Sequence, residues 1–267
     1  METKKYKILV LSDLGDSTGN ILKNTAHLAK MIGGDIGFFH VKQPSKVVKQ
    51  DNQLSAIRSI NASYVSTKKE IEQLVGPISE SYHQKIDPVV VLGNVKEEIN
   101  KQIQSFQPDI IVLGQRKQVP FKLLGDSITQ HVLSNFDGPV MIASHDKVLE
   151  QDQELSLGLF NDTWECLKTA LAEELLEHSN QPLKSFRIAN GHFRSEEIDL
   201  DKKIVEYNFS TSDNALKNIS KYLSKIKVDV LFVNREKTGQ DKTNINDVIG
   251  TFNVPLLLTG GPNFKIQ

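Results

Sequence analysis

The sequence predicts a doubly wound α/β fold that occurs twice along the chain. Short, nearly uninterrupted apolar runs rich in Val, Ile and Leu alternate with segments whose apolar residues recur at helical intervals. Such runs mark strands buried on both faces of a parallel sheet. Strands alternating with helices pair in parallel through right-handed crossovers, which places helices on both faces. The pattern restarts near residue 155, and 267 residues leave room for two domains of roughly 130 residues each.

Tyr6 to Ser12 opens the series as a strand, and a turn rich in Asp, Gly and Ser follows from Asp13 to Gly19. Ile21, Leu22, Leu28, Ala29 and Ile32 mark one face of a helix that Gly33-Gly34 stops. Ile36 to Val41 is the second strand. From Gln53 to Tyr82, Ile57, Ile60, Tyr64, Ile71, Leu74 and Ile78 keep helical spacing, with room for one break. Pro88 leads into a strand over Val89 to Leu92, and Asn94 reads as a helix N-cap with Glu97 as its reciprocal partner. The helix so opened carries Val95, Ile99, Ile103 and Phe106. Asp109 to Leu113 is a fourth strand, Ile128 to Phe136 a fourth helix and Pro139 to Ala143 a fifth strand.

Charged residues from His145 to Glu154 read as a linker, which sets domains at 1–147 and 154–267. Beyond it, Leu155–Phe160, Leu183–Ala189, Ile204–Phe209, Val228–Val233 and Val254–Leu258 read as strands, with helices over Thr163–His178 and Asp213–Ile226. The fold class is therefore two tandem doubly wound open parallel five-stranded sheets. The run QIQSFQPDIIVLG at 102–114 is echoed by YLSKIKVDVLFVN at 222–234. Between Asn190 and Lys203 there is no space for a long second helix, so the second copy reads as a degenerate duplicate.

Composition narrows the function. Thirty-two basic against 33 acidic side chains give a net charge of −1, which argues against a general electrostatic grip on nucleic acid or an anionic membrane. The apolar runs are strand-sized, too short for a bilayer. A single cysteine, Cys166, cannot form an internal disulfide and suits a reducing compartment. With no apolar leader near Met1, the expected location is the cytoplasm. Neither a Gly-x-Gly-x-x-Gly, a Gly-x4-Gly-Lys-Ser/Thr, a His-Glu-x-x-His nor a Gly-x-Ser-x-Gly motif occurs. His27 and His131 fall on helices as packing or surface residues, Cys166 reads as an inert helical thiol, and the acidic run Glu196–Asp201 reads as a solvated loop.

Ligands of open parallel sheets sit beyond the carboxyl ends of the strands. In the first half those ends are Ser12-Asp13, Val41, Gly93 and Gly114. Asp13 can accept a hydrogen bond from a base or sugar, or simply cap its own turn. The segment Gly114-Gln115-Arg116-Lys117 through Gly125-Asp126-Ser127-Ile128-Thr129 combines glycines, cations, hydroxyls and a helix N-terminus, the ingredients of a phosphate site.

On the strand ending Ser12-Asp13, the FFHV run ending at Val41 and the pattern DIIVLGQRK…LLGDSITQHVL…GPVMI, the sequence resembles the universal stress protein family. The resemblance covers about residues 6–144, and over 155–260 it rests on topology and spacing only. It implies an adenine nucleotide alpha hydrolase-like, Rossmann-like fold. ATP-binding members carry Gly-x2-Gly-x9-Gly-Ser/Thr in the loop after the fourth strand. By resemblance, Ser12, Asp13 and the Val41 backbone would hold adenine or ribose of ATP or another adenine nucleotide, with or without Mg²⁺. Gly114, Arg116, Lys117, Gly125, Asp126, Ser127, Ile128 and Thr129 would line the phosphate path. The pattern departs from the family's in three ways: Lys117 replaces the second glycine, only seven residues separate it from Gly125, and Asp126 intervenes before Ser127. A carboxylate facing phosphate costs binding unless a cation offsets it. In the second half the corresponding loop starts Asn234-Arg235 without glycine, Asn161 or Asp162 stands for Asp13, and no nucleotide is expected.

Two functions follow as expectations. One is a stress-response module that binds or senses an adenine nucleotide, without a dedicated catalytic apparatus and capable at most of slow ATP hydrolysis. The other is a nucleotide-free scaffold for dimerisation and partner docking. The resemblance implies pairing through the fifth strands, as a pseudo-dimer within the chain or as a homodimer. An adenylating enzyme or a phosphoreceiver is disfavoured, because Asp13–Ser17 lacks a Ser-Gly-Gly-like loop and Gly93-Asn94 stands where a receiver needs aspartate.

Overall fold

A computed structural model describes residues 5–44, 53–115, 128–149, 153–161, 164–188, 203–212, 214–235 and 243–260. The first half runs β1 (Lys7–Ser12), α1 (Thr18–Ile32), β2 (Asp35–Lys42), α2 (Gln53–Tyr82), β3 (Ile86–Leu92), α3 (Val95–Phe106), β4 (Ile110–Gly114), α4 (Ile128–Asn135) and β5 (Val140–Ala143). The second runs β6 (Leu157–Phe160), a 3₁₀ turn (Trp164–Lys168), α5 (Ala170–Glu177), β7 (Leu183–Ile188), β8 (Ile204–Phe209), α6 (Ala215–Leu223), β9 (Val230–Asn234), α7 (Ile245–Thr251) and β10 (Leu256–Thr259).

The two five-stranded sets join into one ten-stranded sheet, ordered β3-β2-β1-β4-β5-β10-β9-β6-β7-β8. Every pairing within a half is parallel, and the seam between β5 and β10 is antiparallel. Ile142 faces Leu256, Met141 faces Leu257 and Val140 faces Leu258, so the fifth strands of the halves meet within one chain. The sheet separates two apolar layers. Val10, Leu22, Phe38, Ile71, Leu171 and Phe232 belong to one, and Leu9, Ile111, Val132, Phe160, Ile219 and Phe252 to the other. Each such side chain contributes about 1.5–3 kcal/mol on burial. The buried faces on both sides explain why the strands read as continuous apolar runs.

Local chemistry ends the helices where the sequence indicates. Gly33 takes the left-handed conformation at φ 66°, and Gly34 N–H reaches Ala29 O at 2.8 Å. Asn94 Oδ1 accepts from Lys96 N at 3.1 Å and Glu97 N at 3.5 Å, capping α3. The structure differs from expectation in four places. Helix α2 is unbroken across Pro77, and its buried positions begin only at Thr67, leaving Ile57 54% exposed. The helix expected over Thr163–His178 divides, because the Thr169 side chain accepts from Ala172 N and starts α5 afresh. Helix α7, capped by Asn244, occupies the stretch before Pro255 that reads as loop. The start of the charged linker is tied down: Asn24 donates to Lys147 O at 2.9 Å and accepts from Leu149 N at 2.7 Å.

Candidate functional site

The sheet order reverses between β1 and β4, since β2 and β3 lie on one side of β1 and β4 and β5 on the other. That is the position at which open α/β sheets form a crevice at the strand ends. A cavity of about 1110 Å³ lies there, lined by Asp13, His40, Val41, Gly114, Ile128 and Thr129, among others. Ser12 belongs to the same lining. Six of the residues expected from sequence are thus gathered at one place: Ser12, Asp13, Val41, Gly114, Ile128 and Thr129. Arg116, Lys117, Gly125, Asp126 and Ser127 lie outside the described residues.

The turn after β1 is built by its own polar groups. Ser12 Oγ accepts from Leu14 N at 3.1 Å and pairs with Thr18 Oγ1 at 3.2 Å. Thr18 Oγ1 donates to Gly15 O at 2.7 Å, and Asp13 Oδ1 accepts from Gly15 N at 3.2 Å. These bonds hold Leu14 at φ 58°, a conformation that costs a non-glycine residue roughly 1–2 kcal/mol. Backbone strain of this kind concentrates where a chain must present groups to a ligand. Asp13 therefore shapes its turn and at the same time lines the cavity.

Gly114 ends β4 where the wall comes closest. A Cβ at that position would lie 2.3 Å from Ile21 Cδ1. Its counterpart across the seam is Asn234, since Gly114 pairs with Ala143 as Asn234 pairs with Thr259. The second half therefore tolerates a side chain where the first excludes one. The strand registers also set Asn161 level with Ser12, because Leu11 pairs with Leu113 and Leu159 with Phe232. Asn161 Oδ1 is occupied in accepting from Ile188 N at 3.0 Å. Asp162, the residue in line with Asp13, lies outside the described residues, as does the Glu196–Asp201 run.

His40 is one cavity residue that the sequence reading missed. It is 7% exposed, and its Nδ1 lies 2.9 Å from Ser12 O. A carbonyl only accepts, so Nδ1 carries the hydrogen and Nε2 is an acceptor in the neutral ring. Burial lowers the imidazole pKa below its ordinary value, with Lys42 adding to the effect. The Ser12 carbonyl, Asp13 and Glu70 pull the other way. Alternation along β2 offered the only signal, placing His40 on the same face as Phe38. Elsewhere, His27 is buried in α1, and His131 Nε2 lies 2.9 Å from Asn100 Oδ1. Among the described residues, no group of three or more His, Cys, Asp and Glu side chains could hold a metal ion. Nor is any described helix long and apolar enough to cross a membrane.

A profile of the universal stress protein family matches residues 6–144. The chain belongs to that family. Among solved structures, it is similar to a universal stress protein from Archaeoglobus fulgidus DSM 4304, at TM-score 0.71 and 19% identity, over 97% of this chain and 98% of that one. It is also similar to a functionally unknown protein from Pseudomonas aeruginosa PAO1, at TM-score 0.59 and 12% identity, over 97% and 94% of the two chains. A third likeness, to a universal stress protein in complex with cAMP, has TM-score 0.35 and 12% identity, over 48% of this chain and 89% of that one. A search of curated protein sequences gives no match. The first two likenesses share the fold over 97% of this chain, while the family profile ends with the first half.

Proposed function

We propose that this universal stress protein binds an adenine nucleotide in its first half, as a sensing or holding module of the stress response. The second half keeps the fold without a nucleotide site, and we place the two units at 1–147 and 154–267, in the cytoplasm. The observation that carries the reading is the cavity at the β1/β4 reversal, with Asp13, Val41, Gly114, Ile128 and Thr129 on its walls. Its volume exceeds the range of about 300–1,000 Å³ usual for small-molecule sites, which leaves space for a triphosphate. In this reading Asp13 takes a ribose hydroxyl, the Val41 backbone meets the base, and His40 Nε2 accepts from an exocyclic amine. The first turn of α4, with Thr129, receives the phosphates together with Lys117 and Arg116. Lys42 and Lys96 add positive charge at the rim. Turnover is not assigned to the site, since Asp13 is engaged in its own turn.

Thermal unfolding with and without Mg-ATP tests the proposal. A ligand that binds only the folded state stabilises it by about 2.7 kcal/mol at 100 times its Kd. The wild type should shift and Asp13→Ala should shift less at the same nucleotide concentration. The absence of a shift at millimolar ATP, ADP and AMP would instead support the scaffold reading. That reading has its own observation: Leu54, Ile57 and Val65 of α2 are 68%, 54% and 64% exposed.

A further inference from the structure

The seam between the halves carries a contact that repeats under the pseudo-twofold symmetry of β5 and β10. Gln115 follows β4, and its backbone N–H bonds Ala143 O at 2.9 Å. Arg235 follows β9, and its backbone N–H bonds Thr259 O at 2.9 Å. The two residues are structural equivalents, because Gly114 pairs with Ala143 as Asn234 pairs with Thr259. Each sends its side chain across the seam to the other half. Gln115 Nε2 donates to Ile249 O at 2.8 Å and Phe252 O at 2.7 Å, at the end of α7. Arg235 Nη1 donates to Leu133 O at 3.3 Å and Phe136 O at 3.0 Å, at the end of α4. The carbonyls correspond as well, since Phe252 N bonds Val248 O as Phe136 N bonds Val132 O. Arg235 Nη2 goes further, to Asp137 O at 3.4 Å and Gly138 O at 2.5 Å.

The last carbonyls of a helix have no partner within it, and a cation placed there also meets the negative end of the helix dipole. Arg235 therefore fixes the C-terminus of α4 from the opposite half. The N-terminus of that eight-residue helix, Ile128 and Thr129, lines the cavity. Gln115 itself lines the cavity while holding the C-terminus of α7. The candidate site is thus connected to the second half twice, through the end of β4 and through the body of α4.

We infer that Arg235, which holds α4 against the cavity, and Gln115, which holds α7, are positioning residues that make occupancy of the first half felt in the second. The inference rests on the nucleotide reading for its ligand, and on the cross-seam geometry for its mechanism. Coupling between two sites is reciprocal, so whatever the nucleotide does to α7 through Gln115, docking of α7 does to the nucleotide.

Amide hydrogen exchange on the full chain, with and without Mg-ATP, tests it. In the absence of nucleotide, Arg235→Met should speed exchange of residues 131–135 about tenfold, leaving β6 and β7 unchanged, and Arg235→Lys should recover part of the protection. In the wild type, Mg-ATP should slow exchange in both α4 and α7. Gln115→Leu should abolish the nucleotide effect on 245–251 and retain it on 131–135. Unchanged α4 exchange in Arg235→Met, or α7 protection that survives in Gln115→Leu, overturns the inference. Should Arg235→Met fail to fold, Arg235→Lys and Gln115→Leu carry the same comparison. If Mg-ATP changes nothing in the wild type, the nucleotide reading falls, while the nucleotide-free arm still decides whether Arg235 holds α4.

Discussion

Gly114→Ala probes the wall of the cavity without adding a polar group. The new methyl would lie 2.3 Å from Ile21 Cδ1, 3.3 Å from Ile21 Cγ1 and 3.8 Å from Ser17 Oγ. Ile21 is 4% exposed and wedged between α1 and the sheet, so its terminal methyl must find a new rotamer or push the helix outward. Overpacking of this kind costs about 1–3 kcal/mol. For a chain of this size each kcal/mol lowers Tm by about 2–4 °C. Ile21→Val removes the offending Cδ1 and should alone cost about 0.5–1.5 kcal/mol. Once Cδ1 is gone the remaining contact, at 3.3 Å, needs a shift of only a few tenths of an ångström. The double variant should therefore be more stable than the sum of the singles predicts, by about 1 kcal/mol. Urea melts of the four proteins form a double-mutant cycle. Additivity within about 0.3–0.5 kcal/mol would refute the close approach of β4 to α1 on which this wall depends.

His40 gives a pH signature. Its pKa is lowered from 6.5 in the folded state, so the unfolded chain binds the proton more readily. The stabilisation is then complete above pH 6.5 and is lost as pH falls from there toward the lowered value. Urea midpoints measured from about pH 7.5 down to about pH 5 should fall in the wild type more steeply than in His40→Gln, and parallel profiles would show that His40 is not the group responsible. Cys166 is 3% exposed with its Sγ against Thr259 Oγ1. A thiol reagent should label it only as fast as the fold opens, and complete labelling on mixing would contradict its burial.

Much of the fold was legible because parallel strands buried on both faces leave a strong mark. Val10, Phe38, Val112 and Phe232 sit inside runs that have no polar alternation to confuse them. Helix α7 escaped because seven residues are too few for periodicity, although Asn244 with Asp247 three residues later is a start signal. The amphipathic spacing of Ile57, Ile60 and Tyr64 was misleading in another way. It describes a helix correctly, but α2 reaches the sheet only from Thr67 onward. That Asp13, Val41, Gly114 and Thr129 share one cavity could be anticipated because strand ends and loop glycines are local features. The contacts of His40 and Gln115 were not legible, since each depends on partners at Ser12 and in α7 that no spacing rule connects.

The two halves differ unevenly, and the pattern bears on what the second contributes to the first. At the end of the fourth strand Ile21 leaves no room for a side chain on Gly114, and the equivalent position in the second half is Asn234. One residue later the exchange runs the other way. Gln115 makes two bonds across the seam, and Arg235 makes the same two and adds Asp137 O and Gly138 O. The two halves thus differ in side-chain size at the position on the cavity wall, and in charge and donors at the position on the seam. An ordinary surface arginine contributes little, but a guanidinium spread over four carbonyls at a helix end is a charge-assisted anchor. If the second half were merely a partner for burying the edge of β5, the apolar pairing of Val140, Met141 and Ile142 with β10 would suffice. The anchor adds a defined position for α4, and that helix begins at Ile128 and Thr129 on the cavity wall.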